Sequence, residues 1–283
     1  MRIARFAVAD DVAYGVVGTA RANGAGQPGE PVVAEISGHP FGAGEAVKLT
    51  GASYPVADVR LLAPVLPSKV VAVGKNYAEH VREMAGDSPG GGTAGVGGAG
   101  GEPSAEPVLF LKPSTSVCGP GDPISYPVGL SSRVDYEGEL AVVIGRLCRE
   151  VPADQASRVI FGYTCANDVT ARDLQARDGQ WTRAKGFDTF CPLGPWIETE
   201  ADPAALTLTT TVNGEVRQQA STSGLLHDVS ALVAFASNVM TLLPGDVLLT
   251  GTPAGVGPLA DGDEVAVTIE GIGTLTNKVI SGD

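Results

Sequence analysis

Glu137 and Glu139 stand two residues apart in Val134-Asp135-Tyr136-Glu137-Gly138-Glu139-Leu140, just before the apolar run Leu140-Ala141-Val142-Val143-Ile144. In a strand, residues i and i+2 point to one face. Two carboxylates then sit side by side at the mouth of a buried strand. Like charges at that spacing repel, and burying either one unpaired is costly. A divalent cation between them is the simplest remedy. Asp168, in Ala166-Asn167-Asp168-Val169-Thr170, adds a third acid. An all-oxygen set favours a hard cation that keeps several waters, Mg²⁺ first, with Mn²⁺ or Ca²⁺ behind it. The bland alternative is a solvated strand edge, with Asp168 as a helix N-cap.

His80 and Glu83 are three residues apart on a predicted helix and so share one flank. A carboxylate beside an imidazole orients it and raises its basicity, which suits deprotonation of a water. The alternative is a surface histidine on an amphipathic helix. His39 and His227 take the bland reading. Lys185, beside Gly186, offers a cation next to permissive backbone, suited to a carboxylate or a developing enolate. Arg172 and Asp173 read as an internal pair. Thr250-Gly251-Thr252-Pro253-Ala254-Gly255 ends a strand in a glycine-rich turn that can present N–H groups and a hydroxyl to an anion. It lacks the Gly-Lys-Ser/Thr ending of a P-loop.

These groups need elements to hold them. The chain has 283 residues, 43% of them hydrophobic, enough for one large domain or one large and one small. Residues 1–63 read as short β-segments separated by Gly, Asn and Pro, a small N-terminal β-domain, and residues 64–283 as the chemistry-bearing domain. Asn76, with Glu79 three residues on, predicts the start of the His80 helix as a capping-box-like pair. The stretch 86–107 is glycine-rich and unable to pack a core, a flexible lid hinge behind that helix. Strands are expected at Val108–Leu111, Leu140–Ile144, Val159–Cys165, Leu206–Val212, Asp246–Thr250 and Glu264–Ile269. Asn213-Gly214 predicts a type I′ hairpin. Asp228 predicts a helix cap ahead of Val229, Leu232, Val233 and Ala236. The sum is an α+β, β-rich fold with a mixed sheet.

A net charge of −13 argues against sequence-independent nucleic-acid binding. Four cysteines without Cys-x-x-Cys spacing read as buried free thiols, no apolar run reaches 18 residues, and the N-terminus lacks a signal-peptide core. A soluble cytoplasmic protein, with no membrane partner, is expected.

Six segments in order resemble the fumarylacetoacetate hydrolase family. They are Gly74-Lys75-Asn76-Tyr77-Ala78-Glu79-His80, Phe110-Leu111-Lys112-Pro113-Ser114, Val134–Leu140, Asn167–Gln175, Lys185-Gly186-Phe187-Asp188, and Leu243-Pro244-Gly245-Asp246 through Pro253. They cover roughly residues 66 to 280. The resemblance implies a rolled mixed β-sheet and a homodimer. It implies Mg²⁺ on Glu137, Glu139 and Asp168, and a catalytic set of His80, Glu83 and Lys185. Gln175, Thr252 and Arg172 would contact a small 2-oxo acid. Hydrolysis of an acylpyruvate C–C bond is the implied activity, with 2-hydroxyhepta-2,4-diene-1,7-dioate isomerisation or oxaloacetate decarboxylation as alternatives. A metal-binding module without catalysis is a remoter one. The glycine-rich run after the His80 helix is longer than similar proteins carry.

Overall fold

The computed structural model describes residues 1–19, 29–41, 47–86 and 104–281. Most of the glycine-rich stretch expected as a lid hinge, residues 87–103, lies outside them.

The hairpin of Gly138–Ile144 and Ile160–Asn167 is the spine of the molecule, pairing antiparallel from Gly138↔Asn167 to Ile144↔Ile160. Its first strand is apolar without alternation because both faces are covered. Leu140, Val142 and Ile144 pack with Leu208, Val267, Ile269 and the helix residues Val229, Leu232, Val233 and Ala236. Ala141 and Val143 face the other way, onto Val70, Ala72, Val247, Leu249 and Leu193.

The hairpin lies within a mixed sheet of 12 described strands. On one side come Cys191–Glu198 and then Arg2–Val8, Asp11–Thr19, Pro31–Ser37 and Lys48–Pro55. The N-terminal strands therefore continue the sheet, through Arg2↔Glu198 and Ile3↔Ile197. On the other side come Val247–Leu249, Val70–Gly74 and Val108–Lys112. The pairing of Val247–Leu249 with Val70–Gly74 is parallel. A second sheet of five strands, including Thr207–Val212, Glu215–Ser221, Glu264–Ile269 and Gly273–Ser281, packs across the first core. The architecture is the expected β-rich, mixed-sheet one.

Local expectations fare unevenly. Asn213 (φ 53°) and Gly214 (φ 80°) take the left-handed backbone of a type I′ turn. Asp228 caps the helix Val229–Val239 by accepting from Ala231 N at 2.8 Å. All four cysteines are free and buried. Asn76, however, makes no cap bond among the described residues. The helix it precedes runs Ala78–Gly86, and its side-chain oxygen instead accepts from His227 N at 2.8 Å, while its NH₂ donates to Thr250 O at 2.7 Å and His227 O at 3.0 Å. A buried amide is satisfied by whichever partners the tertiary fold brings closest, here backbone groups from distant segments. No described helix is long and apolar enough to cross a membrane.

Candidate active site

The spine hairpin opens onto the site at its Gly138↔Asn167 end, flanked by Glu137 and Asp168. Asp168 N donates to Glu137 O at 2.8 Å, and Asn167 Oδ1 accepts from Glu137 N at 2.9 Å. Those bonds fold both acids toward Glu139. Oxygens of Glu137, Glu139 and Asp168 lie within 4.8 Å of one another, and all three residues are buried, at 4%, 1% and 1% exposure. A solvated strand edge is ruled out by that burial.

The cations are distributed unequally. Lys185 ends the short helix Thr182–Lys185, with Nζ 2.7 Å from Glu137 Oε2 and 2.6 Å from Asp168 Oδ2. Arg172 starts the helix Arg172–Asp178, with Nη2 2.5 Å from Glu137 Oε1 and Nε 2.9 Å from Asp135 Oδ2. Among the described residues, Glu139 has no cationic side chain within ion-pair distance; Gly251 N donates to its Oε2 at 2.6 Å.

The titration shifts follow from this. Burial opposes ionisation of Glu137, but Lys185 and Arg172 outweigh it and hold the carboxyl well below its usual range. Burial raises the Glu139 carboxyl well above its usual range, and the charges of Asp168 and Glu137 push the same way. Burial likewise works against the charge on Lys185, yet Asp168 and Glu137 leave its ammonium harder to deprotonate than usual. Three buried oxygen ligands, one lacking a counter-charge among the described residues, fit a hard divalent cation.

The helix Ala78–Gly86 brings the second group. His80 is buried, with Nδ1 3.1 Å from Glu83 Oε2. The other Glu83 oxygen accepts from Gly255 N at 2.9 Å. Burial opposes ionisation of Glu83, but the His80 and Gly255 hydrogen bonds win and lower its carboxyl below the ordinary range. The turn whose Gly255 N holds Glu83 also holds Glu139 through Gly251 N, so one turn links the dyad to the carboxylates.

Among the expected substrate contacts, Arg172 does not pair with Asp173. Asp173 instead accepts from Ser131 Oγ at 2.6 Å and Ser132 N at 3.1 Å. Adjacent helix residues point apart, which sends Arg172 inward and Asp173 outward. Gln175 is buried nearby, with Oε1 accepting from Arg172 Nη1 at 2.9 Å. The Thr252 hydroxyl is already engaged, donating to Gly138 O at 2.9 Å and accepting from Gln218 Nε2 at 2.8 Å.

Sequence reasoning assigned no role to Lys112. Its ammonium is fully buried, 2.5 Å from Asp168 Oδ1 and 3.2 Å from Val169 O. Asp168 is thus held between two lysines. A lysine ending the apolar strand Val108–Lys112, just before Pro113, was the available signal. Phe110 and Trp181 rings meet at 5.1 Å, and Lys185 Nζ lies 5.0 Å from the Phe110 centroid, forming an aromatic wall behind the lysine.

The chain is similar to known proteins along its whole length. The family described as "Fumarylacetoacetate (FAA) hydrolase C-terminal" matches residues 69–280, and "Rv2993c-like, N-terminal" matches residues 1–64. The structure of a 5-carboxymethyl-2-hydroxymuconate delta-isomerase from Mycobacterium smegmatis is 52% identical, with a TM-score of 0.84 and 100% coverage of both chains. Oxaloacetate tautomerase YcgM of Escherichia coli K12 is 43% identical over 220 residues, 75% of this chain and 93% of that one. A maleylpyruvate hydrolase from Sphingobium sp. SYK-6, in complex with manganese(II) and pyruvate, is 32% identical, with a TM-score of 0.74 and 100% coverage of both chains. With the matched region spanning both the carboxylate centre and the dyad, the chain belongs to the fumarylacetoacetate hydrolase family.

Proposed function

We propose that the chain is an enzyme acting on enolisable 2-oxo carboxylic acids at the Glu137–Glu139–Asp168 centre, with proton transfer at C3 as its core step. The observation that carries this is the charge pattern: three buried carboxylates, one with no counter-charge among the described residues, beside a buried lysine. Mg²⁺ or Mn²⁺ bound there would supply a Lewis acid for the adjacent carboxylate and 2-oxo oxygens. The similarity to an isomerase, a tautomerase and a manganese-containing hydrolase supports the reading, since all act on acids that can enolise.

The chain's own groups have separate tasks. Lys185 spends two of its three donors on Glu137 and Asp168, leaving one for the oxygen that gains charge as the enolate forms. Arg172 holds Glu137 on one side and the Gln175 carbonyl on the other, which leaves the Gln175 amide NH₂ to donate to substrate. Glu83 occupies His80 Nδ1, so Nε2 is the nitrogen free to take or give a proton. Returning that proton at a different position of the same enolate gives tautomerisation or isomerisation.

A second reading is favoured by the dyad. With Glu83 anchored by Gly255 N, His80 Nε2 can deprotonate a water that attacks the C4 carbonyl of an acylpyruvate. The C3–C4 bond breaks, its electron pair passes to the enolate, and reprotonation yields pyruvate plus a carboxylic acid.

The test is a panel of enol-oxaloacetate, a 2-hydroxy-2,4-dienedioate and acetylpyruvate, with Mg²⁺ or Mn²⁺. Metal-dependent turnover of at least one, abolished by Glu139→Gln, is expected. Absence of turnover on all three with either metal would refute the proposal. Release of pyruvate and acetate from acetylpyruvate then separates the C–C cleavage reading from proton transfer alone, and His80→Gln should cost either reaction about 10²–10⁴-fold.

A further inference from the structure

The strand Glu215–Ser221 is mostly exposed, and Gln218 is its one fully buried residue, at 1% exposure. A buried amide in such a strand is costly unless its donors and acceptor are all used. Gln218 uses them on the site. Its Oε1 accepts from Gly138 N at 3.0 Å. Its Nε2 donates to Thr252 Oγ1 and to Pro253 O, each at 2.8 Å. Thr252 Oγ1 closes the circuit by donating to Gly138 O at 2.9 Å.

Gly138 lies between Glu137 and Glu139; its N–H is held by Gln218 of the second sheet, and its carbonyl by Thr252 of the 251–255 turn, which Gln218 also holds. The gripped turn is the one whose Gly251 N holds Glu139 and whose Gly255 N holds Glu83. Gly255 (φ +97°) also backs directly onto the same strand, since a Cβ there would overlap Arg217 O and lie 3.3 Å from Gln218 Cγ.

We propose that Gln218 is a positioning residue that sets the His80–Glu83 dyad relative to the Glu137–Glu139 carboxylates by tying Gly138 to the 251–255 turn. The inference rests on the functional reading above. Gln218 itself touches neither the cation ligands nor the dyad, so its effect passes through backbone placement.

The experiment compares Gln218→Met, of similar length without hydrogen bonds, and Gln218→Glu, which retains the acceptor but loses both donors. Gln219→Met, an exposed neighbour, is the control. Mn²⁺ affinity is measured by calorimetry, and kcat and KM at saturating Mn²⁺ on whichever 2-oxo acid the wild type turns over. Gln218→Met should bind Mn²⁺ about tenfold more weakly and lose about tenfold in kcat with KM little changed, with Gln218→Glu intermediate. If Gln218→Met fails to fold, Gln218→Glu carries the same comparison. Wild-type Mn²⁺ affinity in a folded Gln218 variant would overturn the proposal. Should the wild type turn over none of the substrates, the functional reading falls, while the Mn²⁺ affinities still decide the positioning role.

Discussion

Lys185 Nζ sits between Glu137 Oε2 at 2.7 Å and Asp168 Oδ2 at 2.6 Å, one buried ammonium shared by two buried carboxylates. Removing it leaves both acids facing a centre that already contains Glu139. Lys185→Met should therefore destabilise the cation-free protein by about 3–5 kcal/mol, read from urea unfolding. Saturating Mn²⁺ should recover part of that loss. Turnover should fall about 10²–10³-fold even with metal bound, because the donor for the developing oxyanion is gone. A variant of wild-type turnover would remove Lys185 from the mechanism.

The raised Glu139 carboxyl makes a pH prediction. In the cation-free protein the folded state keeps a proton that the unfolded chain has released above the ordinary carboxylate range. Stability then declines as pH rises through that window. A divalent cation displaces the proton and should bind more tightly as pH rises. Mn²⁺ should thus raise the melting temperature more at about pH 8 than at about pH 5. The opposite order would show that Glu139 is ionised without metal.

Gly138 tolerates no side chain. A Cβ there would overlap Thr210 Oγ1 and lie 3.3 Å from Gln218 Oε1. Gly138→Ala should cost about 1–3 kcal/mol and weaken Mn²⁺ binding, since the strand can move only by shifting both carboxylates. Adding Thr210→Ala removes the clashing hydroxyl. The double variant should recover much of the stability, and strict additivity would refute the steric account.

Asp246 supplies a contrast far along the sheet from the carboxylates. It is buried and accepts from Ser68 Oγ at 2.6 Å and Leu243 N at 2.8 Å, and it pairs with Lys69. Asp246→Ala should cost about 2–4 kcal/mol, because several donors lose their acceptor together. The kcat of the folded variant should stay at the wild-type value. A large drop in kcat would mean that the strand Val247–Leu249 transmits the disturbance to Gly251.

Several features were legible because their causes are local. The two-residue spacing of Glu137 and Glu139 announces the pair, although Glu137 itself falls in the break between Val134–Tyr136 and Gly138–Ile144, and the apolar residues after the pair announce burial on both faces. The hairpin at Asn213-Gly214 follows from left-handed backbone, and the Asp228 cap from one side chain reaching back over one turn. His80 and Glu83 meet because helical spacing puts them on one flank.

Other features depend on partners that spacing cannot name. Asn76 has the right type for a cap, but folding brings His227 N to its side-chain oxygen and Thr250 O to its NH₂, and those bonds win. Arg172 has an acid beside it in sequence and pairs instead with Asp135 and Glu137 across the site. Lys112 finds Asp168 from 56 residues away, and Gln218 finds Gly138 from 80.

The sequence by itself determined which acids gather and that their charge calls for a cation, since same-face geometry and the cost of buried charge are local consequences of residue type. Only the tertiary structure decided how that charge is shared, with Lys185, Lys112 and Arg172 on two of the acids and, among the described residues, none on Glu139. Counter-charges in a buried site act over a few ångströms of space, and the packing of the two sheets decides which residues come that close.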